Sequence, residues 1–413
     1  MSEILQKAFD PIRGSADTVH HRLVFPYITR GSKVDREVAH EHAIDLMKNV
    51  QNLRLVDAMG ALFNYRDPIL KIKVKGIEHP LPNPLFIAPG FDKKLEIHKL
   101  LGEGFGFGGV KVGTVTLIPY GGNPRKDEKG NPTPRIFDLP NNRGLINRMG
   151  FPGDGAQKAK ERLEKDDKER DYGLIISVGA SMPSFKNGTA IEDYATAVEI
   201  LAPFGDGFEI NISSPNTEGV RAMIDVLDDL SSRLDPIFEK TGKAVFYKLS
   251  PDLTTQQLEG ALIILKKHIC HGVALTNTTT DQNVRLNLLS DKYIEEKGGI
   301  SGQPLKDKAL KASRNAYKFM GEEMPISRAG GIADIRDLWI ALTQGGATTA
   351  EVYTAFVRRE TSGPNFVYYM MKDLAKAMRR LEMQSMDDFQ EYRGKNLALP
   401  TAGVIFQSFK PYE

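Results

Sequence analysis

Ala244-Val-Phe-Tyr-Lys-Leu-Ser250, followed by the amphipathic stretch Thr255–His268 and then by Gly272-Val-Ala-Leu-Thr276, is where the fold becomes readable. Two short apolar runs flank a segment of helical periodicity. A strand, a helix and a strand in that order imply parallel pairing through a right-handed crossover. The pattern extends in both directions. Strand-like runs occupy Pro84–Pro89, Gly109–Val115, Leu174–Gly179, Gly207–Ile212, Ala244–Leu249, Gly272–Thr276, Pro325–Ala329 and Ala350–Thr354, with helical stretches at Glu192–Ala202, Leu305–Gly321 and Asp334–Gln344. Eight such units over roughly 270 residues match the usual size of an α/β protein closed into a (β/α)8 TIM barrel; an open doubly wound sheet is the alternative.

Three regions lie outside the alternation. An N-terminal extension, residues 1–64, carries two amphipathic segments, Val38–Val50 and Asn52–Phe63, expected as short helices. Residues 117–145 are rich in Pro, Gly and charge and are expected to be a long loop, functional or disordered, too polar for a buried element. After a last amphipathic helix marked by Val367, Met371, Leu374, Met378 and Leu381, Ser385 and Asp388 can start another short one. The barrel is assigned to residues 65–395 and a loosely ordered tail to 396–413.

Bulk properties exclude several classes of function. The 413 residues carry 55 basic and 53 acidic side chains, a net charge of +2, so no global field recruits nucleic acid. Apolar runs such as Ala261–Leu265 fall far short of the ~18–20 residues of a membrane-spanning helix. Met1-Ser2-Glu3 lacks the features of a signal peptide. The single cysteine, Cys270, excludes an intrachain disulfide and a cysteine metal cluster. A soluble chain from a reducing compartment is expected, with no metal.

In a closed barrel the active site lies at the C-terminal ends of the strands, and the chemically useful residues fall there repeatedly. They are Ala88-Pro-Gly90 with Lys93, Gly113-Thr114, Asn211-Ile-Ser-Ser-Pro-Asn-Thr217, Lys248, Thr276-Asn-Thr278, Gly330-Gly331 and Tyr353-Thr354. The last two ends occupy the usual phosphate position of such barrels, and glycines let backbone N–H groups approach an anion. Gly298-Gly299 and Ser301-Gly302 can add donors, so a phosphorylated ligand is expected. Lys248, in an apolar strand, either points into the barrel mouth, forms a structural ion pair, or serves as a Schiff-base lysine. Ser214 at a strand end is a candidate nucleophile or base. No histidine sits at a strand end and no Gly-x-Ser-x-Gly elbow surrounds Ser214, so a cofactor must supply the electrophile.

Taken together these segments resemble class 2 dihydroorotate dehydrogenase, the membrane-associated, quinone-reducing branch. The likeness runs from about Asp35 to Pro364. Its most specific pieces are Asn211-Ile-Ser-Ser-Pro-Asn-Thr217, Gly122-Asn-Pro124 with Pro134-Arg-Ile-Phe137, and Asn147-Arg-Met-Gly-Phe151. Ala88-Pro-Gly-Phe-Asp-Lys93, Lys248-Leu-Ser-Pro-Asp-Leu253, Thr276-Asn-Thr-Thr279, Gly298-Gly-Ile-Ser-Gly302 and Tyr353-Thr-Ala355 support them.

The resemblance implies oxidation of dihydroorotate to orotate, for pyrimidine synthesis, with FMN as prosthetic group and a quinone as acceptor. FMN is implied to lie on Ala88, Gly90, Gly113, Thr114, Asn147, Asn211, Lys248 and Thr276, with its phosphate at Ser301, Gly302, Gly330, Gly331, Tyr353 and Thr354. Substrate is implied at Lys93, Asn147, Arg148, Met149, Gly150, Phe151, Asn211, Asn216, Asn277 and Thr278. Ser214 is the implied catalytic base, rather than Ser213, and Thr217 and Phe151 match positions that relay the proton and exclude water. The extension resembles a cap that forms a quinone tunnel and touches a membrane surface peripherally, the bacterial cytoplasmic or the mitochondrial inner membrane.

Four departures stand out. Ser177-Val-Gly-Ala-Ser181 replaces an asparagine and lysine pattern, which removes an expected flavin contact from strand three. Asp138 stands where a basic residue is usual, implying a less basic quinone mouth. Lys126–Asn131 has the look of an insertion, and Ile326-Ser-Arg-Ala-Gly330 is unusually polar for strand seven. Another FMN barrel oxidoreductase, a Schiff-base lyase using Lys248 and a non-catalytic FMN- or phosphate-binding scaffold are the competing readings. Because no matching contact precedes Ala88, removing residues 1–64 is expected to affect only the reaction with quinone.

Overall fold

The strands at Gly109–Val115, Gly173–Val178, Gly207–Asn211 and Ala244–Leu249 are buried at every residue, which a parallel sheet achieves only when both of its faces are covered. A computed structural model describes residues 9–29, 35–126, 129–131, 133–166, 169–288, 293–358, 363–401 and 406–409. In chain order the strands are β1 (Leu85–Ile87), β2 (Gly109–Val115), β3 (Ile136–Leu139), β4 (Gly144–Asn147), β5 (Gly173–Val178), β6 (Gly207–Asn211), β7 (Ala244–Leu249), β8 (Gly272–Leu275), β9 (Gly299–Gly302), β10 (Ile326–Ala329) and β11 (Thr349–Val352). Eight of them close into a parallel barrel in the order β1-β2-β5-β6-β7-β8-β10-β11, with β11 returning to β1. All eight strand-like runs of the sequence are barrel strands.

The helices that matter are α1 (Asp10–Val19, prolonged by a π turn at His20–Val24 and by Phe25–Thr29), α2 (Arg36–Asn52), α3 (Val56–Phe63), α4 (Ala156–Leu163), α5 (Ala190–Leu201), α6 (Leu227–Thr241), α7 (Thr255–Lys266), α8 (Lys306–Met320), α9 (Ile335–Leu342) and α10 (Phe366–Arg380). Local chemistry sets their starts. Thr254 accepts from Gln257 N at 3.2 Å while the Gln257 side chain accepts from Thr254 N at 2.9 Å, a reciprocal cap for α7. Asp35 caps α2 and Asp334 caps α9. The turn at Met386–Glu391 begins with the expected Ser385–Asp388 box.

Three expectations from the sequence need correction. Residues 117–145 are not all loop: β3 and β4 form an antiparallel hairpin that β9 extends. Phe137, Leu139, Ile146 and Ile300 fill its buried side, and Ile136, Leu145 and Asn147 of the opposite face line the cavity at the C-terminal strand ends. The extension contains α1 as well as the two expected helices, and α3 starts only at Val56, after Arg54 breaks the chain direction at φ 56°. The tail is tethered: Phe406 is buried, and Ser408 N donates to Asp373 Oδ2 on α10 at 2.7 Å. Residues 127–128 of the Lys126–Asn131 segment, with 1–8, 30–34, 402–405 and 410–413 of the outer segments, lie outside the described residues.

The extension is bolted to the barrel. Arg13 of α1 is fully buried; its Nε donates to Leu62 O at 2.6 Å and its guanidinium lies 4.0 Å over the Tyr368 ring of α10. Gly60 of α3 lets that helix touch the Leu100–Gly104 turn, because a Cβ there would lie 2.8 Å from Glu103 O.

Inside the barrel the core is ionic at one level. Lys111 of β2 reaches Glu209 of β6 at 2.7 Å and Glu351 of β11 at 2.6 Å. Lys248 of β7 lies 3.2 Å from Glu351 and 3.5 Å from Glu209. Ser327 of β10 donates to Glu351 at 2.7 Å and Ser177 of β5 to Glu209 at 3.4 Å. Two cations balance two anions. Burial alone would raise the Glu351 carboxyl, but Lys111 and Lys248 outweigh it and hold it well below the usual carboxylate range.

Removing one member of such a cluster strands an opposite charge in the interior. Lys111→Met is expected to lower unfolding stability by about 3–5 kcal/mol, read as a shifted urea midpoint. A loss under about 1 kcal/mol would show that the cluster is screened rather than buried.

Candidate active site

The C-terminal ends of the strands surround a cavity of about 400 Å³, closed on one side by the β3–β4 hairpin. Its floor follows from β2 and the ionic layer beneath. Gly113 adopts φ 93°, and a Cβ there would lie 2.6 Å from Ser177 O, so only glycine brings the backbone this close. Thr114 Oγ1 lies 3.1 Å from Ser177 Oγ and accepts from Asn211 Nδ2 at 3.1 Å. Lys248 reaches the floor from β7 with both carboxylate partners behind it.

A wall of amides stands on one side. Asn216 Nδ2 donates to Asn147 Oδ1 at 2.9 Å; Asn277 Nδ2 donates to Ser213 Oγ at 3.1 Å and to Asn211 Oδ1 at 3.4 Å. All four asparagines line the cavity with Thr278, whose buried Oγ1 has no hydrogen-bond partner among the described residues. An orphaned buried hydroxyl facing a cavity wants a polar ligand. The two serines separate clearly. Ser213 is turned to Asn211 and Asn277, whereas Ser214 lines the cavity, its Oγ accepting from Asn216 N at 3.2 Å.

At the other end three glycines shape a cradle. Gly302, Gly330 and Gly331 have φ of 82°, 114° and 72°, and a Cβ on Gly331 would lie 2.4 Å from Lys306 Cβ. Asp337 fixes the loop that follows by accepting from Ala333 N at 3.0 Å, Gln303 Nε2 at 3.1 Å and Lys306 Nζ at 2.5 Å. Ser301 and Thr354 hydroxyls meet at 2.9 Å beside it. Backbone amides around Gly330-Gly331 and Tyr353-Thr354 make this end suited to a phosphate. A glycine cradle for an anion, a lysine at the floor and an amide wall together fit FMN with a planar polar substrate.

Of the residues assigned from the sequence to FMN, substrate or the base, all but Arg148 line this cavity: Ala88, Gly90, Lys93, Gly113, Thr114, Asn147, Met149, Gly150, Phe151, Asn211, Ser214, Asn216, Lys248, Thr276, Asn277, Thr278, Ser301, Gly302, Gly330, Gly331, Tyr353 and Thr354; the suggested relay Thr217 and the suggested donors Gly298 and Gly299 stand outside its lining. Arg148 is turned away. Its guanidinium donates to Glu296 at 2.9 Å and Pro134 O at 2.8 Å and stacks 4.9 Å over Phe137, so it braces the hairpin. Phe151 takes φ 59°, a strained conformation for a bulky residue, and its ring excludes any Cβ at Gly179.

Strand three contributes no lining residue, in keeping with its altered sequence. Ser177 instead links Thr114 to Glu209, and Ser181 caps the turn Met182–Lys186. The polar strand seven splits by face: Ser327 points inward to Glu351, while Arg328 points outward and donates to Lys306 O at 3.1 Å, behind the cradle.

Asp138 does not leave the mouth acidic. Arg358 reaches it at 2.5 Å and Arg36 at 2.8 Å, and Arg143 and Arg358 both line the cavity. No local signal in the sequence marks these arginines, because each meets Asp138 or the cavity through the tertiary fold. Lys93 lines the cavity as well. Burial lowers its ammonium to about 8, Glu37 opposite resists the shift and Arg135 adds to it.

Residues 69–378 match the family described as Dihydroorotate dehydrogenase. A protein of Thermus thermophilus named Dihydroorotate dehydrogenase (quinone) is 35% identical over 378 residues, 90% of this chain and 99% of that one. A protein of the same name from Novosphingobium aromaticivorans is 36% identical over 324 residues, 77% of this chain and 87% of that one. Among solved structures, DHODH from Eimeria tenella in complex with ferulenol superposes with a TM-score of 0.73 at 28% identity, covering 86% of this chain and 95% of that one. With the family matched across its barrel and the relatives matched nearly end to end, this chain belongs to the dihydroorotate dehydrogenase family.

Proposed function

We propose that the chain oxidises (S)-dihydroorotate to orotate with FMN as prosthetic group and passes the electrons to a quinone, the redox step of pyrimidine synthesis. The observation that carries this reading is a single cavity in which Ser214, four asparagines and Lys93 face the glycine cradle at Gly302, Gly330 and Gly331. FMN, when bound, supplies the acceptor for the hydride from C6 and the donor to the quinone. Gly302, Gly331, Tyr353 and Thr354 would hold its phosphate, Ala88, Gly90, Gly113 and Thr114 would border its ring, and Lys248 and Thr276 would meet its polar edge. Lys248, backed by Glu351 and Glu209, favours negative charge there.

The protein groups handle the pyrimidine and its proton. Asn147, Asn211, Asn216 and Asn277 offer amide edges to the ring and Lys93 pairs with its carboxylate. Ser214 takes the proton from C5 as the hydride leaves C6, which creates the C5–C6 double bond. The Asn216 N–H donated to Ser214 Oγ steadies negative charge on that oxygen. Thr217 Oγ1, one turn further on, is buried without a partner among the described residues and is suited to pass the proton outward, and Phe151 excludes bulk water. A lyase through Lys248 is disfavoured, since its amine would have to give up both carboxylates before attacking a carbonyl.

The extension serves the quinone. No helix among the described residues is long and apolar enough to cross a membrane. α1 nevertheless exposes Ile12, Val19, Leu23 and Tyr27, and the α2–α3 link exposes Leu53 and Leu55. Large apolar residues left in water on one module support peripheral contact with the membrane that holds the quinone.

Denaturing the purified yellow protein is expected to release about one FMN per chain, identified by mass; FAD, NAD or no cofactor would refute the assignment. Ser214→Ala is expected to keep FMN and lose roughly 10²–10⁴-fold in kcat with dihydroorotate. A large loss in Ser213→Ala with none in Ser214→Ala would move the base to Ser213.

A further inference from the structure

We propose that Glu37, on the first turn of α2 in the N-terminal extension, is a positioning residue for the dihydroorotate half of the reaction. The inference rests on the function proposed above and concerns a residue of the module otherwise assigned to the quinone. Glu37 is 5% exposed. Its carboxylate receives a two-pronged contact from Arg135: Nε at 2.9 Å, and NH2 closer still. Arg135, itself buried, uses NH1 to hold Gly121 O at 2.7 Å and Asn123 O at 2.8 Å. Asn123 Nδ2 then donates to Asn216 O at 2.7 Å and Arg148 O at 3.0 Å. Asn216 ends the path inside the cavity, on Asn147 Oδ1 at 2.9 Å and on Ser214 Oγ at 3.2 Å.

Each link is close-packed, so the path has little slack. Gly122, between the two carbonyls that Arg135 grips, has φ 73°, and a Cβ there would lie 2.2 Å from Met149 O. The loop at 121–123 is thus clamped between Arg135 and the Met149–Phe151 segment that lines the cavity. Removing the carboxylate leaves the Arg135 guanidinium buried without its counter-charge, and the loop moves with it. Ser214 and Asn216 lose their backing, and a shift of about 1 Å at reacting groups costs on the order of 10²-fold in rate.

A second effect is electrostatic. Lys93 is faced by Glu37, Glu41 and His40 from α2, by Arg135 from the approach to β3, and by its neighbour Asp92. Glu37 favours the ammonium and Arg135 opposes it. With Glu37 made neutral, Lys93 loses its proton at a lower pH than about 8, and with it the pairing to the substrate carboxylate.

The test is Glu37→Gln in the full-length holoprotein, with the two half-reactions followed separately by stopped flow. Flavin reduction by dihydroorotate should slow about ten- to hundredfold, its alkaline limb should move to lower pH, and FMN content and reoxidation by a long-chain quinone should stay as in the parent. Glu37→Asp keeps the charge on a shorter arm. It should slow reduction while leaving the alkaline limb in place, and it serves if the glutamine variant does not fold. Unchanged reduction with an unmoved limb overturns the proposal, as does an equal loss in both half-reactions. A parent protein whose flavin dihydroorotate does not reduce refutes the proposed function instead.

Discussion

Lys111 and Lys248 meet Glu209 and Glu351 in the barrel lumen, every one of the four at most 4% exposed. Charges in that setting are tolerated only as a balanced set with hydrogen bonds left for none to spare, because each alone would carry several kcal/mol of desolvation. The condition constrains the chain widely. The four charges come from β2, β6, β7 and β11, and their hydroxyl partners Ser177 and Ser327 from β5 and β10, so six of the eight strands answer to one cluster. A slip of one residue in any of these strands would turn its polar side chain out of the lumen and leave the set unbalanced. The closed barrel and the strand register are therefore specified by charge as well as by apolar packing.

The cluster also explains why Lys248 need not be either structural or functional. Its ammonium has two carboxylates below and the open cavity above. The same ion pairs that stabilise the lumen hold the lysine at a fixed height on the floor, where a flexible four-carbon arm would otherwise wander. Thr114 is treated the same way from the other side: Ser177 ties it to Glu209, and Asn211 donates to it. Preorganisation of this floor is thus built from the interior outward.

Much of this was legible in the sequence, for definite reasons. The barrel strands stand out because both of their faces are buried, so each is an apolar or small-residue run between helical segments. The cavity residues stand out because a barrel collects strand ends at one place, and Gly330-Gly331 or Asn211–Thr217 need no tertiary knowledge to be placed there. What stayed hidden depends on contacts distant in sequence. The β3–β4 hairpin has strands of only four residues, and the polar residues around them, with the turn at Arg143, mask Phe137, Leu139 and Ile146. α1 buries an arginine and an aspartate, Arg13 and Asp17, and leaves leucine and tyrosine in water, the reverse of the pattern by which a helix announces its core face. Arg148 belongs to a specific motif, yet its side chain answers to Glu296 and Phe137, 148 and 11 positions away.

The departure at Asp138 shows how such distant contacts reshape an expectation. A carboxylate in place of a base would be expected to weaken attraction for electron-rich ligands at the mouth. Here it gathers Arg358 from beyond β11 and Arg36 from α2, so the local excess of positive charge survives while one of its carriers now belongs to the extension. Next to it the polarity is reversed, with Glu37 of α2 on Arg135 just ahead of β3. Adjacent residues of one helix turn, opposite in sign, meet partners of opposite sign three positions apart on one segment. Such a pair of contacts rejects a shifted docking of α2, since displacement brings like charges together, in the way that charge patterns set register between coiled helices. The extension is for that reason held on the barrel in a single orientation, by electrostatics that purely apolar packing could not supply.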